Sequence, residues 1–296
     1  MPADPHALRR FDELDGKTLL ICVGATKCAT SWLHGYLGGL PEVAVSPLKE
    51  LHFFNAKFPQ NALGDMEAFS LARLRFHMAQ AEDMADALKQ RPAFQASVER
   101  VQMIYDDNAY FGHFARLCSA RTRVFCDITP AYSAMGQEAF DYIKAFCAAQ
   151  AVQLKLLFVM RDPVARLWSQ LRHLQQMNPE NDALAKWPEA IQSPGIRARG
   201  DYRATVTALD ASFAAADVLY MFYEDLFSDA SLGKLCDFCG VEPGPADFDK
   251  KRNQTTVKQP LPEDARTALA QMLAPQYDFC RARFGDLVPA DWQGDP

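Results

Sequence analysis

The chain predicts an α/β fold, a single domain in which a central parallel β-sheet is flanked by helices. Three observations carry that expectation. Five short strand-like runs recur, of which TLLICV (18–23) is continuously apolar, as a strand buried on both faces is. Helix-length segments separate them, as crossovers between parallel strands require. The polar signals collect just after the runs at 18–23, 123–129 and 154–160, beyond the carboxyl ends of strands, where open parallel sheets bind their ligands.

Taken in order, residues 1–16 read as a loose N-terminal arm and 17–290 as the domain. TLLICV (18–23) is the first strand. Ala29 to Leu40 reads as a helix, stopped by Gly38-Gly39 and Pro41. EVAVS (42–46) is a short second strand. A helical insert is expected over about 60–117, with a long helical region from about Met66 to Gln90 and a further helix from Arg100 to Leu117. RVFCDIT (123–129) is a strand, 137–150 a helix, and LKLLFVM (154–160) the clearest buried strand. Asp162-Pro163 then opens a helix that runs to about Gln176, with Pro in its first turn. Residues 178–200 mix Pro, Gly, Asn and charge and read as a lid-like loop. A helix from Tyr202, the strand VLYMF (218–222), a helix near 231–239, an unpatterned tail (244–260) and a last helix over 262–283 complete the chain.

Composition narrows the partners. Among 296 residues, 31 Lys and Arg stand against 37 Asp and Glu, a formal charge of -6. Nucleic-acid binding is not expected of such a chain, because phosphate neutralisation needs clustered cations. A polyanionic small ligand must instead meet a local basic pocket. No apolar run reaches the length of a membrane span. The opening MPADPHALRRFDELDG lacks the apolar stretch of a signal peptide, so a cytoplasmic protein is expected. The eight cysteines form no metal or disulfide framework; Cys236 and Cys239 make a C-x-x-C without a second pair, and no metal site is predicted.

The first polar signal is GATKCATS (24–31), a small-residue turn between strand and helix. A helix N-terminus in that setting offers N–H groups and a positive dipole end to an anion. Lys27 adds a mobile charge, and Thr30 and Ser31 add hydroxyls. The turn lacks the Gly-Lys-Ser/Thr end of the nucleoside-triphosphate loop, and it lacks the G-x-G-x-x-G of dinucleotide sites. Cys28 is the thiol expected to be reactive, because helix N-termini lower thiol pKa values.

Four stretches in order resemble the sulfotransferases that use 3′-phosphoadenosine-5′-phosphosulfate (PAPS), and most closely their glycosaminoglycan or carbohydrate branch. Lys27-Cys28-Ala29-Thr30-Ser31-Trp32-Leu33 resembles the 5′-phosphosulfate loop, K-x-G-T-T-x-L. SPLKELHFF (46–54) resembles the K-E-x-H-F-F segment, CDITPAY (126–132) the E-K-T-P-x-Y segment, and LLFVMRDPVARLWSQLRH (156–173) the 3′-phosphate motif R-D-P-x-x-R-x-x-S. Gly200-Asp201-Tyr202 and Tyr223-Glu224-Asp225-Leu226 resemble later landmarks, so the likeness runs from about 18 to 285.

The resemblance implies a P-loop nucleotide-kinase-like fold and in-line transfer of a sulfuryl group from PAPS to a hydroxyl or amine, leaving 3′-phosphoadenosine-5′-phosphate, with no metal. By matched position, Lys27 would stabilise the leaving group. Thr26, Cys28, Ala29, Thr30, Ser31 and Trp32 would frame the 5′-phosphate, Arg161 and Ser169 the 3′-phosphate, and Lys251 and Arg252 would close over the nucleotide. Glu50 would take the acceptor's proton, with His52 as the rival base. Lys49, Thr129 and Tyr132 would line the acceptor side. His113 and His173 have no motif support and read as structural.

Departures from the family pattern carry information. Ala29 replaces the loop's usual glycine, which is tolerable if that residue keeps a negative φ. Asp127-Ile128-Thr129-Pro130 lacks the lysine that would meet an anionic sugar, which weakens the case for a sulfated polysaccharide. The acceptor is therefore left open among a small molecule, a carbohydrate or a lipid. A nucleotide-dependent kinase of related fold and a non-catalytic nucleotide-binding protein are the alternative readings. The sequence says nothing of oligomeric state.

Overall fold

Five parallel strands in the order β2-β3-β1-β4-β5 carry the site at their carboxyl ends. The computed structural model describes residues 8–61, 64–249 and 255–292. The strands are β1 (Thr18–Gly24), β2 (Val43–Val45), β3 (Val124–Ile128), β4 (Gln153–Met160) and β5 (Val218–Phe222). β1 is buried along its whole length between β3 and β4. That position explains why its sequence is apolar on both faces. The chain leaves β1 toward β3 and β2, then returns to β4 and β5. The direction therefore reverses beside β1, the switch point at which such sheets hold ligands.

The helices follow the crossovers. α1 (Thr30–Leu37) follows β1. Between β2 and β3 lie α2 (Phe53–Lys57), α3 (Met66–Ala79), α4 (Met84–Gln90), α5 (Pro92–Gln102) and α6 (Asn108–Leu117). α7 (Gln137–Cys147) joins β3 to β4, and α8 (Pro163–Met177) leaves β4. α9 (Trp187–Ala190), α10 (Pro194–Ala198) and α11 (Tyr202–Ser212) lead to β5, followed by α12 (Asp229–Cys239) and α13 (Glu263–Phe284). On the β3 side, α2, α6 and α7 pack an aromatic layer: Phe53 stacks on Tyr110 at 4.7 Å and Phe111 on Phe146 at 4.9 Å. Each such ring removed from water contributes about 1.5–3 kcal/mol.

Several boundaries differ from expectation, each for a local reason. The helical region expected over 66–90 divides into two helices, because Asp83 turns aside to accept from the Asp86 N–H and begins α4 afresh. The helix expected over 100–117 is also two. α5 begins earlier, at Pro92, and a turn after Gln102 separates it from α6. The segment 178–200 contains α9 and α10, each with Pro in its first turn. The described part of the expected loose arm packs on the domain. Leu14 is buried, Phe11 N donates to Gln150 Oε1, and Gly16 N to the Ala151 carbonyl. No described helix is long and apolar enough to cross a membrane.

Candidate functional site

The loop after β1 turns tightly. A Cβ at Gly24 would come within 2.9 Å of Ser133 Cβ and 3.1 Å of the Pro130 carbonyl, so the position admits only glycine. Ala25 N donates to the Val159 carbonyl, which ties the loop to β4. Lys27 and Ala29 both adopt left-handed backbone, with φ of 71° and 59°. This corrects the expectation of a negative φ at Ala29. The residue takes the conformation that a glycine adopts freely, and it holds it with a methyl group. Ala29 is also the residue that precedes α1, and no side chain caps that helix end. Its first N–H groups therefore lack the side-chain oxygen that commonly satisfies them.

Cations converge on this loop. Arg161 stands just beyond β4, its Nη1 3.4 Å from the Lys27 carbonyl and its guanidinium 4.2 Å above the Tyr223 ring. Its Nε is buried without a partner. Tyr202 fixes the Arg161 backbone from both sides, accepting from its N–H at 3.1 Å and donating to its carbonyl at 2.8 Å. Asp162 caps α8 through the Ala165 N–H, and Tyr277 donates to its other oxygen. Glu224 accepts from the Asp162 N–H at 2.9 Å. The Gly200-Asp201-Tyr202 and Tyr223-Glu224 landmarks thus act by holding the β4–α8 corner.

Burial, followed by the charges of Arg161, Arg172 and Lys49, pushes the Lys27 ammonium below its ordinary pKa. Arg172 is lowered by burial and by Arg161. A cluster of like charges held this close is destabilising by itself and is relieved by a bound anion. Ser169, one turn before His173 on α8, is buried.

The loop from Ser46 to His52 presents the acidic group. Glu50 Oε1 lies 3.0 Å from Lys49 Nζ, and Oε2 lies 3.3 Å from His52 Nε2. Burial alone would raise the Glu50 pKa. The His52 hydrogen bond and the Lys49 charge outweigh it and hold the carboxyl at about 2. His52 Nδ1 faces Asn55 Oδ1 at 3.0 Å, and the Asn55 amide is oriented by its bond to the Ala131 carbonyl. Both nitrogens of His52 therefore face side-chain oxygens. The loop is held from several sides. Arg100 Nη1 donates to the Glu50 carbonyl, Leu51 N to Thr129 Oγ1, and His113 Nε2 meets Ser46 Oγ at 3.0 Å.

Three expectations change here. Thr129 and Tyr132 are fully buried, and their hydroxyls donate to Asp127 at 2.7 and 2.9 Å. They support the loop from beneath and offer no surface to an acceptor. Cys28 is fully buried, and burial pushes its thiol up to about 12, so it is unreactive where helix position alone suggested otherwise. Trp32 is buried against Tyr36, Phe248 and Phe227, with its Nε1 on the Asp247 carbonyl. Lys251 and Arg252 lie outside the described residues. All eight cysteines, Cys236 and Cys239 included, are free thiols.

The structure also brings in residues that sequence reasoning left aside. His173 is near enough to feel Lys27 and Glu50; burial and Lys27 lower its pKa and Glu50 raises it. Arg199, just past α10, is lowered by burial, while the Glu50 charge acts against that. Four-residue spacing from Ser169 was a legible signal for His173. Nothing local marked Arg199.

A switch-point loop, a helix start without a side-chain cap and the neighbouring cations Lys27, Arg161 and Arg172 thus stand together, with the Glu50 carboxylate on the adjoining loop. The sequence profile of the sulfotransferase family matches residues 20–245, and the chain belongs to that family. Among solved structures it is similar to a sulfotransferase from Alicyclobacillus acidocaldarius, with 23% identity, a TM-score of 0.58, and 89% of this chain and 94% of that one covered. That similarity shows the fold. The sulfotransferase domain of the Synechococcus PCC 7002 olefin synthase is also similar, with 17% identity, a TM-score of 0.44, and coverage of 90% and 98%. Among curated proteins, no sequence matches the chain.

Proposed function

We propose that this sulfotransferase takes its sulfuryl group from PAPS and passes it to a hydroxyl or amine. The observation that carries the reading is the cluster of Lys27, Arg161 and Arg172 at the start of α1, which no side chain caps. Such a cluster fits a ligand bearing phosphates at two positions. The N–H groups at the start of α1 and the hydroxyls of Thr30 and Ser31 would hold the 5′ side. Arg161, whose buried Nε lacks a partner, and Ser169 would hold the 3′-phosphate. The donor supplies an activated sulfuryl group: the acceptor oxygen or nitrogen bonds to sulfur as the bond from sulfur to the phosphate oxygen breaks. Lys27 would stand where negative charge builds on that leaving oxygen, and a fixed cation there would lower the barrier.

Glu50 is the proposed proton acceptor. Both His52 nitrogens are engaged, one by Asn55 and one by Glu50, which leaves the Glu50 carboxylate as the group with free lone pairs. A carboxyl held at about 2 is ionised at every working pH but weakly basic. The low value also keeps a negative charge beside the acceptor, where it attracts a polarised hydroxyl or ammonium hydrogen.

Calorimetric titration with 3′,5′-ADP, ADP and ATP, without metal, tests the donor site. Preference for 3′,5′-ADP that is lost in Arg161→Ala supports it. Equal binding of ADP, or tighter binding of ATP with magnesium, overturns it in favour of a kinase.

A further inference from the structure

Arg100 on α5 is the most conspicuous charge outside the donor site. Its side chain is 2% exposed, and its Nε and Nη2 are buried without partners. The guanidinium is lowered to about 10 by burial and by Arg73, with no carboxylate acting on it. A buried ionised group left short of hydrogen bonds is costly and uncommon in a native fold. The surroundings add cations rather than acids. His77 Nε2 is likewise buried without a partner, and Arg73, Arg100 and Arg91 all act on that ring.

The position relates this group to the chemistry. Arg100 Nη1 donates to the Glu50 carbonyl at 3.0 Å. The Phe69 ring covers the guanidinium at 5.1 Å and meets His52 edge-on at 5.4 Å. Phe69 itself is 47% exposed, and α3 buries only Ser70 along its 14 residues. Leu71, Phe76 and Met78 lie exposed on the same helix. A half-exposed ring on a thinly packed helix is thus the cover over an unsatisfied guanidinium, one residue's width from the proposed base.

We propose that Arg100 anchors an anionic group of the acceptor, reached as Phe69 turns aside, and that the apolar surface of α3 takes the acceptor's hydrophobic body. The acceptor is then an anionic amphiphile whose reacting hydroxyl or amine lies a few bonds from a carboxylate or similar oxyanion. This rests on the transferase reading of the Glu50 side. The planar guanidinium offers two free N–H directions to such an oxyanion, which a lysine would not. The apolar surroundings strengthen the pairing and set this subsite apart from one built for a polysaccharide.

Calorimetry with decanoate and 1-decanol below their aggregation limits, on the full chain with and without 3′,5′-ADP, tests it. Decanoate should bind at least tenfold more tightly than 1-decanol. Arg100→Gln should weaken decanoate by about 10- to 100-fold while leaving 3′,5′-ADP affinity unchanged. Phe69→Ala should weaken both decyl probes. Equal binding of decanoate and 1-decanol, or a preference retained in Arg100→Gln, overturns the subsite. If Arg100→Gln does not fold, the exposed variants Arg73→Gln and Phe69→Ala decide: decanoate affinity unchanged in both overturns it. Failure of 3′,5′-ADP binding alongside intact decanoate binding would instead remove the donor reading and leave the anion subsite standing.

Discussion

Replacing Ala29 by glycine should stabilise this protein, against the usual direction of such a change. Ala29 sits at φ 59°, ψ 18°, immediately before α1. An L-residue with a Cβ in that region carries about 1–2 kcal/mol of strain from Cβ against the following carbonyl. Glycine removes that strain but adds chain entropy to the unfolded state, worth about 0.5–1 kcal/mol in the opposite direction. The expected gain is therefore about 0.5–1 kcal/mol. For a domain of this size that corresponds to a rise in Tm of roughly 2 °C. Urea unfolding followed by circular dichroism should show a higher midpoint with an unchanged slope. Ala29→Val, which forces a β-branched side chain into the same backbone, should destabilise by more than the glycine gains. Affinity for 3′,5′-ADP should be kept in Ala29→Gly, since the loop's path is already the one glycine prefers. A lower Tm for Ala29→Gly, or a neutral Ala29→Val, would refute the reasoning and place Ala29 in an ordinary right-handed conformation.

The other expectations are more direct. Glu50→Gln should reduce transfer by about 10²- to 10⁴-fold, measured with labelled donor, and leave nucleotide affinity within twofold. Glu50 titrates at about 2 in the folded protein, below its ordinary value of 4.5, so its stabilising contribution is present above the ordinary value and lost as pH falls toward 2. Lys49→Met removes one of the charges responsible and should move the acid-unfolding midpoint to higher pH. Tyr132→Phe takes one hydroxyl from buried Asp127 and should cost about 1–3 kcal/mol in urea unfolding. Cys28 should resist maleimide in the native protein and label only on unfolding, as read by mass spectrometry of the tryptic peptide.

The sheet was legible because its central strands are buried on both faces, so their apolar runs end where the strands end. β1 and β4 are the clearest cases, and all five strands lie where their runs predicted. Helix boundaries were less legible. The insert between β2 and β3 is thinly packed, so apolar periodicity there is weak, and the Asp83 cap that divides it looks like any surface acid until its side chain is seen to accept from Asp86 N. At the candidate site, Lys27, Glu50 and Arg161 stood out as charges in short motifs. Arg100, Arg172 and Arg199 did not, because each sits on a helical segment whose facing depends on tertiary packing. Thr129 and Tyr132 were misplaced for a related reason. Their motif fixes them beside the loop, but only the burial of Asp127 shows that they point down into the fold.

The reversal of chain direction beside β1 separates two tasks in space. The groups proposed to grip the anion come from the ends of β1 and β4 and from α8. The carboxylate comes from the end of β2, on the other flank, and the α3–α5 insert that leans over it has little stake in the sheet. Lineages can therefore remodel that insert, or exchange it outright, while the donor half stays untouched. New acceptor preferences would arise by altering a canopy rather than an engine. For the same reason, grafting α3 to α5 from one such enzyme onto another is the natural first route to redirecting its chemistry.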